Sequence, residues 1–343
     1  MSNMGRSTLP ILVIALAACR GETTGTRHNA VEAGVQPSLD DVNDGPRFSD
    51  WSAPVNLGPP VNTPFIEQAP SISKDGLSLY FHCGNCPTNI GGADIYVSHR
   101  ANVGDPWGAP QRLGPSINTE DNEQGPRLSR DGHRLYFGSD RPGFGGFDLY
   151  VSRRRDKRDD FGWEPAVNLG PGVNTDADEA TPDPFEDDAT GSTVLYYGFG
   201  PALSAGGPGA VDIYVSTLLP DGTYGPGVPV TELNSPSVDR QPAIGRDGHE
   251  IFFASDRPGI GTSGNLDLWT ATRPTTSDPW SAPVNLGPVV NSGFIDARPA
   301  ISFDGTTLYF QSTRPGAVGC SSATGPCVFD LWVTTRSKLR GPD

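Results

Sequence analysis

Apolar and polar residues alternate in short runs along most of this chain, and the runs repeat. Ser129 to Ser152 reads SRDGHRLYFGSDRPGFGGFDLYVS; from Gly245 the chain writes GRDGHEIFFASDRPGIGTSGNLDLWTAT, nearly the same pattern again. A period of two puts alternate side chains on opposite faces, so each run predicts a half-buried β-strand. Tyr, Phe, Leu, Ile and Val dominate these runs, as strands of that kind require. Asp-Gly between two runs is a hairpin signal, because glycine takes the positive φ of a tight turn at little cost.

The pattern is written five times. A phrase opening on an aromatic residue starts at Trp51, Trp107, Trp163, Tyr224 and Trp280, at separations of 56, 56, 61 and 56 residues. An Asn follows each: Asn62, Asn118, Asn174, Asn234 and Asn291. Next come an acid and, three places on, a proline: Glu67 with Pro70, Glu123 with Pro126, Glu179 with Pro182, Asp239 with Pro242, and Asp296 with Pro299. Asp-Gly stands after the proline in every copy but the third, which carries the longer DPFEDDATGS. A strand of the LYF type follows, and each copy closes on an Asp before an aliphatic and an aromatic residue: Asp94, Asp148, Asp212, Asp267 and Asp330.

Each copy thus predicts four strands: A at the proline, B at LYF, C at the closing Asp and D at the aromatic phrase. A four-stranded sheet repeated about a ring is a β-propeller blade, and closure leaves only short edges. The predicted fold is all-β, a five-bladed propeller over residues 51–336. Because the chain starts this region on a D phrase and ends it on a C strand, the N-terminal strand is expected to complete the last blade.

The motif P-x-(I/L)-S-x-D-G-x-x-L-Y-F-x-S-x-R-P-G-x-x-G-x-x-D-L-Y-V resembles the WD40-like, TolB-type propeller repeats of bacterial envelope proteins. It runs from Trp51 to Arg336. The chain departs from TolB itself in having five repeats where six are usual, and in lacking a TolB-like N-terminal domain.

Composition agrees with strands and turns: 43 Gly and 34 Pro in 343 residues argue against long helices. A net charge of −15 argues against nucleic acid as a partner, since phosphate binding needs a basic surface. The opening MSNMGRSTLPILVIALAAC has the form of an export signal, with Arg6 before an apolar run too short to span a bilayer. Its LAAC ending resembles the bacterial lipobox, which implies cleavage after residue 18 and lipidation of Cys19. Residues 19–50 read as a flexible tether and 337–343 as a C-terminal tail. The expected location is the outer membrane, facing the periplasm or the cell surface, with membrane contact through the lipid anchor alone.

The D–A and B–C loops share one face of such a ring, and strand A lines its channel. Glu67, Glu123, Glu179, Asp239 and Asp296 would therefore ring the channel mouth. One reading is a cation or cationic-ligand site, with calcium the ion that several oxygens would suit. The favoured reading is architectural: the acids accept loop amides and pair with Arg141, Arg257 and Arg314. Copies one and three lack that arginine, which singles out Glu67 and Glu179. The Asp94, Asp148, Asp212, Asp267 and Asp330 series is read as bonding turn amides. Four cysteines remain after Cys19, Cys83 with Cys86 and Cys320 with Cys327, and two local disulfides are expected. Three pairings are formally open, and a zinc site of four thiolates is the sharper alternative. The basic run at Arg153–Asp160 and the acidic run at Asp183–Asp188 are expected to face each other on adjacent blades.

There is no G-x-S-x-G, H-E-x-x-H or phosphate loop, and the five histidines form no ligand spacing. The expected function is a monomeric, non-enzymatic module that binds an envelope protein, a peptide or a glycan, with no cofactor. The alternative is a carbohydrate-active hydrolase using carboxylates that do not recur, among them Glu67, Glu179 and the Asp183–Asp188 group. A purely structural envelope protein is the third reading.

Overall fold

The computed structural model describes residues 48–201, 211–260, 265–322 and 325–339. The export signal, Cys19, most of the tether and the end of the tail lie outside these residues. The chain enters on β1 (Val55–Asn56). Blade one is β2 (Ile66–Ile72), β3 (Ser78–Gly84), β4 (Ala93–His99) and β5 (Gln111–Arg112). Blade two is β6 (Glu123–Leu128), β7 (Arg134–Ser139), β8 (Asp148–Arg153) and β9 (Val167–Asn168). Blade three is β10 (Asp178–Glu186), β11 (Thr193–Gly200), β12 (Asp212–Thr217) and β13 (Val228–Pro229). Blade four is β14 (Asp239–Ile244), β15 (Glu250–Ser255), β16 (Asp267–Thr272) and β17 (Val284–Asn285). Blade five is β18 (Asp296–Ile301), β19 (Thr307–Ser312) and β20 (Asp330–Thr335), completed by β1.

Five antiparallel four-stranded sheets are therefore present, as the repeat predicts. Strand A of each blade lies against strand A of the next, and β18 returns to β2, which closes the ring. The latch is antiparallel, with Val55 opposite Val333 and Asn56 opposite Trp332. A bridge between Phe48 and Lys338 extends it.

The core sits between neighbouring sheets. Tyr80, Ile95 and Val97 of blade one, for example, pack against Leu135, Phe137 and Trp163 of blade two. Full burial of each such side chain contributes roughly 1.5–3 kcal/mol, so every blade depends on its neighbours.

All five A strands bulge at the same place, just before the proline. The bulged residue has positive φ: Ala69 (54°), Gly125 (60°), Thr181 (53°), Gln241 (62°) and Arg298 (51°). Only Gly125 takes this conformation freely, and a β-branched Thr there is an outlier. A left-handed non-glycine costs roughly 1–2 kcal/mol. The channel wall is thus a ring of strained backbone, and such strain gathers at functional sites.

Candidate functional site

On the D–A and B–C face, the architecture repeats blade by blade. The Asn of each D–A turn uses its amide as a substitute strand. Asn118 accepts the Ile95 N–H at 2.8 Å and donates to the Ile95 carbonyl at 2.9 Å, and Asn62, Asn174, Asn234 and Asn291 treat strand C of the preceding blade alike. The five acids lie one turn further on and are at most 1% exposed. Each accepts a backbone N–H and a hydroxyl from its own loop: Glu123 from Thr119 at 2.8 and 2.7 Å, and Asp296 from Ser292 at 2.6 and 2.7 Å.

In blades two, four and five an arginine closes this arrangement. Arg141 Nη2 donates to Glu123 at 2.9 Å and to the Ile117 carbonyl at 2.7 Å; Arg314 reaches Asp296 at 2.5 Å and the Val290 carbonyl at 2.7 Å. Arg257 bonds Asp239 and the Leu233 carbonyl in the same way. Each guanidinium also lies over two rings of its blade, such as Phe310 and Trp332, both at 5.2 Å.

Blades one and three have no such cation. Burial raises Glu67 to about 7 against the pull of its Thr63 bonds, with Asp330 adding to the rise. Burial likewise raises Glu179 to about 7 against Thr175, with Asp148 and Asp178 adding. Burial raises Glu123 too, with Thr119 and then Arg141 pulling it back. The arginine's place in blade one is held by the B–C loop that carries the Cys83–Cys86 disulfide; the second disulfide joins Cys320 and Cys327. Both pairs are local. The four-thiolate zinc site is ruled out by these bonds, and the Glu67, Cys83 and Cys86 atoms that come together are therefore no metal cluster either.

At the start of strand C, Asp94 accepts Ile90 N–H at 2.8 Å and Asp148 accepts Phe144 N–H at 2.7 Å. Asp267 accepts Ile260 N–H at 2.6 Å, and Asp330 accepts Val318 N–H at 2.7 Å. For Asp212 the corresponding loop lies outside the described residues, and burial, with Asp239 nearby, raises its carboxyl.

The opposite face carries the A–B turns and is less regular. An arginine after strand C lies over the opening Trp of strand D in four blades: Arg100 on Trp107, Arg154 on Trp163, Arg273 on Trp280 and Arg336 on Trp51, at 4.2–4.4 Å. Its Nε donates to the carbonyl of the Asp-Gly turn, as Arg273 does to Gly248 at 2.6 Å. Blade three has Tyr224 instead, bonded to Tyr136 at 3.2 Å. The basic and acidic runs do not face each other as expected. Asp160 pairs with Arg154 inside its own run, while Asp188 pairs with Arg130 at 2.6 Å and Arg246 at 3.4 Å, from the turns of blades two and four. Each acid found a nearer cation, and each cation belongs to a turn the repeat already orders.

The channel ends on this face in an open pocket of about 100 Å³. At its base Arg127 crosses the axis. Its Nε lies 3.3 Å from Asp183 Oδ1, and Nη2 donates to the Pro299 carbonyl at 2.9 Å. Asp183 Oδ2 accepts the Ile244 N–H at 2.6 Å. These bonds tie blades two, three, four and five together at one point. Burial raises Asp183 to about 6, while Arg127 and the Ile244 N–H pull it back. Glu186 lines the same pocket; burial first, and Asp131 second, raise its carboxyl. Phe303 lines the pocket as well, with Lys74 4.6 Å, Arg246 4.7 Å and Arg130 5.8 Å from its ring centre. Two carboxylates of raised pKa beside an aromatic ring can move a proton and hold a sugar face.

Asp183 was marked in the sequence by the broken third copy. Arg127, Phe303 and the four tryptophan-stacking arginines were not. The arginine after strand C does recur in the sequence, at 100, 154, 273 and 336, and that spacing was the available signal. Arg127 occupies a position that is Ser71, Asp183, Ala243 or Ala300 elsewhere, so no periodicity exposes it.

No protein-family model and no curated protein matches the chain. Solved structures do. The native arabinanase Arb43A of Bacillus subtilis is similar with a TM-score of 0.54 and 13% identity, covering 82% of this chain and 97% of that one. The catalytic domain of the GH62 alpha-L-arabinofuranosidase of Coprinopsis cinerea gives 0.52 and 13%, covering 85% and 98%. A putative TolB from Agrobacterium tumefaciens gives 0.44 and 17%, covering 79% and 80%, and carries no argument at that score. Identities this low show the fold alone, a five-bladed propeller. They do correct one expectation. The non-enzymatic interaction module rested on fold analogy, and the ring shared above a TM-score of 0.5 is that of glycoside hydrolases, so that support falls away.

Proposed function

We propose that this chain is a glycan hydrolase whose reaction takes place in the axial pocket on the A–B face. The observation that carries the reading is the pair of raised carboxylates, Asp183 and Glu186, lining that pocket in the one blade whose repeat is broken. Glycoside cleavage needs one carboxylic acid to protonate the leaving oxygen and a second, ionised carboxylate on the other side of the scissile bond. Glu186, raised by burial and by Asp131 while Arg134 and Arg130 pull it back, is assigned the role of proton donor. Asp183, held by Arg127, is ionised above about pH 6 and supports the developing positive charge or the attacking water. The similar folds act on arabinan and arabinofuranosides, which makes arabinose-containing glycans the first substrates to try.

Hydrolysis of arabinan and of aryl arabinofuranosides and xylosides, measured for wild type and Glu186→Gln, tests this. Turnover by wild type and its loss in the variant are expected. An inactive wild type across that panel, or equal turnover by the variant, overturns the reading.

We further propose that the protein works outside the cytoplasm. The apolar leader and LAAC support export and an anchor at Cys19, and two disulfides suit an oxidising compartment. Intact mass of the membrane fraction should show diacylglyceryl at Cys19, and a cytosolic, unlipidated chain would refute it.

A further inference from the structure

In blade one the chain reads Cys83-Gly84-Asn85-Cys86 at the end of β3, and the two cysteines are joined. Cys83 is 1% exposed, while Cys86 stands part-exposed in the B–C loop. Glu67 of β2 lies directly across the sheet from Cys83, with its Oε1 3.6 Å from Cys83 Sγ. Among the described residues, no other carboxylate gathers with two cysteines in this way. In blades two, four and five the equivalent acid meets an arginine; here it meets sulfur.

The loop is held without the sulfur bond. The Asn85 N–H donates to the Gly92 carbonyl at 2.9 Å, and the Asn89 amide donates to the Cys83 carbonyl at 2.9 Å. The Tyr96 hydroxyl fixes Asn89 at 2.7 Å, and Asp94 accepts the Ile90 N–H at 2.8 Å. A disulfide spanning three residues also restrains the unfolded chain less than one spanning seven, such as Cys320–Cys327. Thiol–disulfide exchange needs a sulfur open to attack and a leaving sulfur whose charge is relieved. Cys86 is the open sulfur. Cys83 would leave into a buried site that disfavours a bare thiolate, within reach of a proton from Glu67. Burial raises Glu67 to about 7 against its Thr63 bonds, with Asp330 of β20 adding to the rise; Tyr96 is the other titratable group coupled to it. Both forms of the carboxyl are therefore present near neutral pH.

We propose that Cys83 and Cys86 are a redox-active pair that accepts two electrons from a dithiol, with Glu67 as the proton donor. One thiolate of the dithiol attacks Cys86 Sγ and forms a mixed disulfide. The Cys83–Cys86 bond breaks, and Cys83 leaves with the bonding electrons and takes its proton from Glu67. The second thiolate of the dithiol attacks its partner sulfur in the mixed disulfide and releases Cys86 as a thiolate. The dithiol ends as a disulfide, oxidised by two electrons, and the cysteine pair is reduced by two. The dithiol's two protons pass to solvent, which reprotonates Glu67 and Cys86. This site lies on the face opposite the axial pocket and is independent of the hydrolase reading.

The second disulfide is an internal reference. Cys320 and Cys327 are both part-exposed, so access alone would open that bond first. The oxidised full-length chain is treated with dithiothreitol, quenched and alkylated at intervals, and each cysteine is mapped by mass. Cys83–Cys86 should open at least about ten-fold faster than Cys320–Cys327 at neutral pH. Both bonds meet the same reductant, so the ratio of their rates cancels its ionisation. Neutral Glu67 is the donor, so the ratio should fall as pH rises through about 7 and stay level in Glu67→Gln. Should Glu67→Gln fail to fold, the wild-type ratio and its pH course still decide. Cys320–Cys327 opening first or equally fast overturns the proposal. So does a wild-type ratio that is level from about pH 6 to about pH 8, or a Glu67→Gln ratio that still falls.

Discussion

On the D–A and B–C face, blades two, four and five hold an acid, a loop hydroxyl and an arginine in one arrangement, three times over. On the A–B face the equivalent places differ from blade to blade. Ser71, Arg127, Asp183, Ala243 and Ala300 share one position around the axis, and only two of them form an ion pair. The repeated face is explained by what a blade needs to close its own loop. The unrepeated face is not, because a lone pair across the axis serves no single blade. Symmetry marks architecture here, and its breakdown marks the pocket.

Several substitutions would break or sharpen that contrast. The largest effect is expected on the unrepeated face, in activity: Glu186→Gln should lower turnover about 10²–10⁴-fold, the usual contribution of a positioned proton donor. Its melting temperature should stay close to wild type, and a parallel collapse in stability would erase the distinction. On the repeated face the order reverses. Arg257→Ala leaves Asp239 buried without its cation and should cost about 3–5 kcal/mol in urea unfolding. A loss under about 1 kcal/mol would show that the clamp is ornamental.

A smaller effect separates blades within the repeated face. Glu67 and Glu179 have folded pKa values near 7, above the ordinary 4.5. Folding therefore favours their neutral form. Their full stability is present below about pH 4.5 and is lost as pH rises through 7. Thermal melts should fall between pH 5 and 8, and Glu179→Gln should flatten that fall; an unchanged slope would refute the assignment. The smallest effect is expected at Arg158, exposed and paired only with exposed Asp156. Arg158→Ala should stay within about 0.5 kcal/mol of wild type.

The five-fold ring was legible before any coordinates, because the Asp-Gly turns, the prolines and the LYF runs recur at nearly fixed spacing. Local disulfides were legible for a related reason: Cys83 and Cys86 stand three residues apart, and Cys320 and Cys327 seven. The charge runs at Arg153–Asp160 and Asp183–Asp188 misled, since attraction between segments on different blades depends on which cation is nearest in space. Here that was Arg130 and Arg246.

Sequence alone determined the number of blades, the order of strands and the latch between β1 and β20. Those follow from local turn chemistry and a period of two, which act between near neighbours in the chain. Tertiary structure alone decided what meets on the axis: Arg127 with Asp183, Phe303 under three cations, and Arg298 with Gln124. Closing the ring brings together residues from 56 to 229 positions apart, and no local preference encodes which side chains then share the centre.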